Sequence, residues 1–546
     1  MSAGAATLAV ATPARGAAPL AGPHRIAWLA LGDFRERSRS VAFLVTMLAA
    51  VWAAHVFLPE NGANYATLQI GGHRGVYDSA WVGSLVAMMA NAFLGFAGFY
   101  LVKSAIERDR RTGVGEVLAG TPLAKPMYTL SKALSNFMVL ACMIAVLGLS
   151  ACALQWLRGE DHVVRPLALF APLVWVTLPY MAMVASLAVL FEAVPGLRGG
   201  FGNVVWFFLW TAGIAQSSFG GLEAGRAGND PMGLQMLVPD MIRSCIAAFP
   251  KEHIDPHSVS MGFSFDSHRT PVVATFAWAG VRWTWAMIAG RLVWAAVALG
   301  LALLAALPFD RFERGRGAGV VARLSASRRG PRDAATPPRA RTSAAAPDPG
   351  PLLARLATRP VVRGPGLGTM VLVELRVMLR GMGRAWWLVA LALVALGLFV
   401  PLAGARVGVA ALAWVWPMFV WSPLGTRETR FGTRPLFASS PRPLARQLVA
   451  QWLAGVLVAV LLTGALGLRL GMNGEWTAAA QWLAGSLFVP ALALGLGALS
   501  GTPRFFEALY MCLWYGGVLN RVQMIDPSGG SAPAGAWGGA VGFAAG

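Results

Sequence analysis

The residues whose types and spacing suggest a task form two matched stretches. Residues 107–130 read ERDRRTGVGEVLAGTPLAKPMYTL: acids and arginines, then Gly113, a short helix-capable run at 115–118, then Thr121-Pro122. The second stretch holds Glu428-Thr429-Arg430-Phe431-Gly432 and Ser440-Pro441. An offset of 319 carries Asp109 onto Glu428, Arg111 onto Arg430 and Gly113 onto Gly432. It also carries Leu118 onto Phe437 and Thr121-Pro122 onto Ser440-Pro441, so glycine and proline stand nine residues apart in both. A small hydroxyl residue before proline suits a turn and a new helix start. The chemistry on offer is recognition. Charges fix orientation at an interface, and Val117, Leu118, Leu436 and Phe437 supply apolar contact. One copy would read as an ordinary loop; two at matched positions argue for a specific job.

Other candidates are weaker. His253-Ile254-Asp255-Pro256-His257 places two histidines four apart, but the intervening proline disfavours the continuous helix such a site needs, and the chain has no HExxH. No metal ligands are expected, and with no clustered acids or Ser/His pair at a membrane surface, no catalytic residues either. Cys142, Cys152, Cys245 and Cys512 have no repeated spacing, which argues against a disulfide framework. Arg291, Asn91 and Asn203 fall within or near apolar runs. Polar groups there mark a candidate substrate path. Glu192 is placed at a helix end, where it can snorkel. Trp206, Phe207, Phe208 and Trp210 read as anchors and packing.

These residues must be held by apolar helices. Of 546 residues, 56% are apolar and 13% charged, which excludes soluble globular and disordered classes. Eleven candidate spans are expected, at 41–58, 80–102, 134–155, 167–191, 201–219, 284–307, 386–403, 407–424, 447–468, 479–499 and 505–520. A twelfth is expected to be incomplete, because 537–546 are too short to span. Prolines 172, 179, 417 and 490 fall inside spans, where neighbouring helices make kinks tolerable. The formal net charge is +20. Segments 1–40, 103–132, 309–384 and 426–446 carry +3, +3, +10 and +4, all of it, while the alternate loops 59–79, 156–166 and 220–282 are slightly acidic. That is a positive-inside pattern. It accounts for the basic balance without nucleic acid and predicts a cytoplasmic N-terminus.

The expected fold is an all-α polytopic membrane protein of two six-helix-type halves. A disordered tail (1–25) precedes the first half (26–308, with an outer loop at 220–282). An Arg/Pro/Ala-rich linker (309–368) joins it to the second half (369–546). Amphipathic stretches at 26–40 and 369–384 open the halves as interfacial elbow helices. The linker reads as a solvated tether whose arginines could also meet anionic lipid. The Arg-over-Lys, Ala- and Gly-rich composition suits GC-rich bacterial coding.

The pattern acidic–x–Arg–x–Gly, then small–Pro, in the loop after the second span resembles the coupling segment of ABC-2-type transporter permeases, the membrane subunits of ATP-binding-cassette exporters. The residues that carry it are Glu107, Asp109, Arg111, Gly113, Glu116, Leu118, Thr121, Pro122 and Lys132, and then Glu428, Arg430, Gly432, Phe437, Ser440, Pro441 and Gln451. The resemblance implies that these segments dock on a cytoplasmic ABC ATPase. ATP and magnesium would be bound by that partner, because the chain has no GxxxxGK[ST] and is not itself expected to be an enzyme. It further implies the bacterial inner membrane as location and the bilayer as the other partner. The second copy departs in Arg434-Pro435 near the position of Glu116, and in Gln451 for Lys132. The alternative is a major-facilitator-type secondary transporter. That class also pairs two six-span halves, but its loop motif has glycine four residues before Asp-Arg, where this chain has Ala105.

Overall fold

The computed structural model describes residues 22–60, 63, 65–218, 230–255, 258–265, 274–310, 312, 366–433, 435, 444–519 and 526–529. The chain forms two compact units, Met1–Glu313 and Arg314–Gly546.

In the first unit, helix α1 (Gly22–Ser38) meets α2 (Val41–Phe57) at an 80° bend. The Ser40 hydroxyl accepts the N–H of Phe43 at 3.2 Å, so α2 starts with a capped end. Asp78 does the same for α3 (Ser79–Met89), accepting the N–H of Trp81 at 2.8 Å. A π-turn (Ala90–Leu94) joins α3 to α4 (Gly95–Val102), and α5 (Ala105–Thr112) follows. Next come α6 (Val114–Ala119) and the 34-residue α7 (Lys125–Arg158). At helical rise α7 is about 50 Å long. It therefore outruns a bilayer core of about 30 Å, and its ends project. Helix α8 (Pro166–Pro172) passes through a second π-turn (Leu173–Thr177) into α9 (Leu178–Ala193). Pro172 and Pro179 flank that turn. Each removes a backbone donor, and the wider π geometry absorbs the mismatch. Helices α10 (Gly200–Ser218), α11 (Leu234–Ala248) and α12 (Trp285–Leu304) complete the unit.

The composition does not announce two small sheets. Strand β1 (Tyr65–Ile70) pairs antiparallel with β3 (Val259–Phe265), and β2 (Arg74–Gly75) pairs parallel with β4 (Thr275–Phe276). Arg74 and Glu160 pair at 2.5 Å, so the 59–79, 156–166 and 220–282 connections gather at one sheet-bearing end. There Trp81 stands edge-on to Phe276 and Trp278. Of the expected outer loop, residues 230–282 supply α11, β3 and β4; His257 lies outside the described residues.

The second unit opens with α13 (Leu367–Leu379) and α14 (Arg384–Phe399). A π-turn (Ala405–Val409) leads into α15 (Ala410–Val415), and the helix breaks at Pro417. Then come α16 (Arg427–Arg430), α17 (Val449–Met472), α18 (Trp476–Ser500) and α19 (Pro503–Leu513).

The fold is predominantly helical and multi-pass, and each of the eleven expected segments carries helix. Among the described residues, six helices are long and apolar enough to cross a membrane, or seven if the bent α1–α2 pair is one span. The remainder are shorter or broken, such as Trp386–Phe399 and Ala410–Trp421. The tail at 1–21, most of the 309–368 linker and residues 537–546 lie outside the described residues.

Packing is tightest where small residues let helices approach. A Cβ on Gly83 would lie 2.3 Å from the Leu169 carbonyl oxygen, and that oxygen is backbone and cannot swing away. Gly83→Val is therefore expected to destabilise the first unit by about 1–3 kcal/mol, seen as a lower Tm in detergent. Gly300→Val, with nothing within 4 Å, should leave Tm in place; equal effects would overturn this account of the α3–α8 contact.

Candidate functional site

The first coupling-like segment is held from three sides. Asp33 on α1 accepts from Lys132 Nζ at 2.8 Å and Ser135 Oγ at 2.5 Å, both on α7. It also meets Arg108 on α5 and, at 3.3 Å, Arg37 one turn along its own helix. Asp109, only 4% exposed, takes the other side of the same ammonium, with Lys132 Nζ 2.9 Å from its Oδ1. The Tyr128 hydroxyl donates to Asp109 Oδ2 at 2.7 Å. Glu192 on α9 accepts the N–H of Ile106 at 2.7 Å and of Glu107 at 3.3 Å. It caps the first turn of α5 from a distant helix, where a carboxylate is favoured by both orphan donors and helix dipole. Arg37 Nη1 reaches Asn136 Oδ1 at 2.8 Å.

Burial pushes the Asp33 carboxyl upward. Lys132 and Arg37, with the hydrogen bonds from Lys132 and Ser135, more than reverse this and hold it down at about 2, below its ordinary 3.8. The folded form is thus favoured by Asp33 ionisation above pH 3.8, and that contribution is lost as pH falls toward 2.

The network turns some expected residues inward and leaves others outside. Asp109 is part of the support, not of a contact surface. Glu107, Arg111, Glu116 and Pro122 are exposed, Thr121 is half-buried, and Leu118 packs against the core around Tyr128 and Phe309. Gly113 links α5 to α6 at φ +77°, in the left-handed region that suits glycine. Beyond it α6 presents Val114 and Val117, the latter 72% exposed. The helix start falls three residues later than Thr121-Pro122 suggests. Thr121 closes α6 by donating to the Leu118 carbonyl at 2.7 Å, and α7 opens at Lys125-Pro126. Glu192 does not snorkel outward; it is buried under α5.

The second unit makes the corresponding contacts. Arg427 Nη1 meets Glu374 of α13 at 3.1 Å, and Gln451 Nε2 donates to Glu428 at 2.7 Å. The offset of 319 relates Arg108 to Arg427, Asp109 to Glu428 and Lys132 to Gln451, and Glu374 plays the part of Asp33. Burial holds the Glu374 carboxyl above its usual range, and Arg427 only partly opposes it. Gly432 sits at φ +66°, next to Arg430 and to Phe431, which is 72% exposed. Phe437, Ser440 and Pro441 lie outside the described residues.

A second set of matched contacts was not legible as a motif. Trp206 and Trp210 on α10 donate to the carbonyls of Phe96 at 3.3 Å and Ala92 at 2.8 Å. In the second unit Tyr510 and Trp514 donate to Trp414 and Ala411, each at 2.7 Å. An offset of 304 carries Trp206 onto Tyr510, Trp210 onto Trp514 and Asn203 onto Glu507. Asn203 accepts from Lys103 Nζ at 2.5 Å, and Glu507 from Ser422, the residue 319 after Lys103. A contact whose two sides follow different offsets, 319 on one and 304 on the other, is invisible to a search for one constant spacing.

Of the three residues proposed for a path, Asn91 and Arg291 are brought together around residues 230–233, while Asn203 lies apart beside Lys103. Among the described residues no group of three His, Cys, Asp or Glu side chains is placed to hold a metal ion. No family model matches the chain, and neither a curated protein nor a solved structure matches it.

Lys132→Met strands two buried carboxylates and should cost about 3–5 kcal/mol, with loss of folded protein in detergent. Separately, the loss of stability from pH 4 down to 2 should be about 2 kcal/mol larger in the native chain than in Asp33→Asn. Equal losses in the two chains would refute the assignment.

Proposed function

We propose that the chain is the membrane-spanning permease of an ATP-driven ABC transporter of the ABC-2 type, an exporter, working with a separate ATPase. The observation that carries this reading is the paired support. In both units an acid on the opening amphipathic helix, an arginine and acid after the second span, and a polar residue early in the third span form one hydrogen-bonded block. Each block ends in a left-handed glycine and an exposed apolar tip: Val114 and Val117 in one, Phe431 in the other. Exposed apolar side chains on a charged, polar tip suit a protein partner better than solvent.

The charge asymmetry supports a bacterial cytoplasmic membrane with the N-terminus and both tips inside. Closure of two partner ATPases around ATP and magnesium would push on the tips. Because α5 is fixed to α1, α7 and α9, a push at Val117 would move these helices together rather than bend a loop. No nucleic-acid partner is needed to account for the basic charge.

Because Asp109 is buried, its replacement tests folding. Val114 and Val117 are the clean probes. The double change Val114→Ser, Val117→Asp should leave Tm unchanged, abolish copurification of the ATPase, and lower any permease-stimulated ATP hydrolysis at least ten-fold. A native chain that moves solute in proteoliposomes with no ATPase present would overturn the reading in favour of secondary transport.

A further inference from the structure

Residues 230–233 of the first unit, Asp-Pro-Met-Gly, form a turn seated among spans. The Asp230 carboxylate is used within the turn and its surroundings. It accepts from the N–H of Met232 and of Gln235, each at 2.9 Å, and from the Ser217 hydroxyl. Gly233 has φ +74°, and a Cβ there would lie 2.5 Å from Val176. The Met232 carbonyl accepts from Asn91 at 2.6 Å, and Asn91 stands in the first π-turn, about 18 Å along its span by helical rise. The turn is therefore held well below the sheet-bearing end.

Arg291 on α12 is the other clamp, 1% exposed. Its guanidinium donates to Asp230 O at 2.7 Å and Pro231 O at 2.9 Å on the turn. It also donates to Val176 O at 3.1 Å and Trp175 O at 3.3 Å on the second π-turn. The π geometry takes carbonyls out of the α ladder and offers them to a side chain. Arg291 thus spans two backbones through hydrogen bonds to their carbonyls, and the Asp230 carboxylate on the turn adds a charge attraction. A permanent plug needs only apolar packing. Hydrogen bonds from a guanidinium to carbonyls can be exchanged for bonds to water.

We propose that Arg291 is a positioning residue, a latch that holds the 230–233 turn between the spans and closes the first unit from its sheet-bearing end. That opening this latch would admit solute rests on the transport reading; the latch itself does not. The second unit carries the same device in a different form. Asp526-Pro527-Ser528-Gly529 has Gly529 at φ +72°, and the Ser528 N–H bonds back to Asp526 at 2.8 Å. There a neutral Gln481 donates to the Asp526 carbonyl at 2.8 Å.

The test is accessibility of the turn. Met232→Cys, in a chain whose four native cysteines are replaced, is treated with a membrane-impermeant maleimide in vesicles of each orientation. Labelling should be slow in the otherwise native chain, at least ten-fold faster with Arg291→Met from the sheet-bearing face, and near native with Arg291→Lys. A cysteine at Ser260 on β3 serves as a reference that Arg291 changes should not move. Should Arg291→Met fail to fold, Asn91→Leu takes its place, with a smaller acceleration expected. Unaltered Met232→Cys labelling in a folded Arg291→Met or Asn91→Leu chain overturns the latch. The readout needs no ATPase and no solute, so failure of the transport reading would leave it intact.

Discussion

One ammonium group carries much of the first unit. Lys132 stands between Asp33 and Asp109, and through them an amphipathic helix, a short basic helix and a long span become one piece. Removing any of the three charges would strand the others in a poorly solvated place. The surrounding choices follow from this. Tyr128, Ser135 and Asn136 spend their polar atoms on the same cluster or its neighbours, and Glu192 secures the one end of α5 that Lys132 cannot reach. The second unit solves the same problem with less charge. Gln451 leaves Glu428 hydrogen-bonded rather than neutralised, and Glu374 is met by the one charge of Arg427 with a hydrogen bond from Gln451. The second block is therefore the softer of the two.

What could be read from the chain beforehand was whatever depends on local composition. Apolar runs marked the helices, and the offset of 319 marked the paired segments, because both survive as patterns in one dimension. The role of Glu192 could not be read, since its partners are backbone donors more than eighty residues away. The burial of Asp109 is hidden in the sequence for a related reason. An acid beside arginines in a loop looks solvated until Lys132, two turns into the next helix, is folded over it. The start of α7 falls three residues after the Thr121-Pro122 signal, because Thr121 is spent closing α6 by donating to the Leu118 carbonyl.

The spans themselves are less regular than their hydropathy. The π-turns at Ala90–Leu94 and Leu173–Thr177 appear as nothing more than apolar sequence, yet they supply the acceptors and the side chain that seat residues 230–233. Only the second is flagged by prolines. The 220–282 segment, acidic and loop-like by composition, contributes an amphipathic helix and two strands because β1 and β2 offer it edges to pair with.

The Lys103–Asn203 and Ser422–Glu507 contacts carry a last consequence. They occupy matched places, but a basic side chain meets an amide in one unit and a hydroxyl meets a carboxyl group in the other. What recurs is a meeting point between two helices, not a residue. Each side of such a meeting point is free to drift only in step with its opposite number. Position 103 carries a further tie, because Lys103 Nζ also donates to the Leu197 carbonyl at 3.1 Å, so a Ser–Glu couple set at 103 and 203 would leave that carbonyl to find another donor.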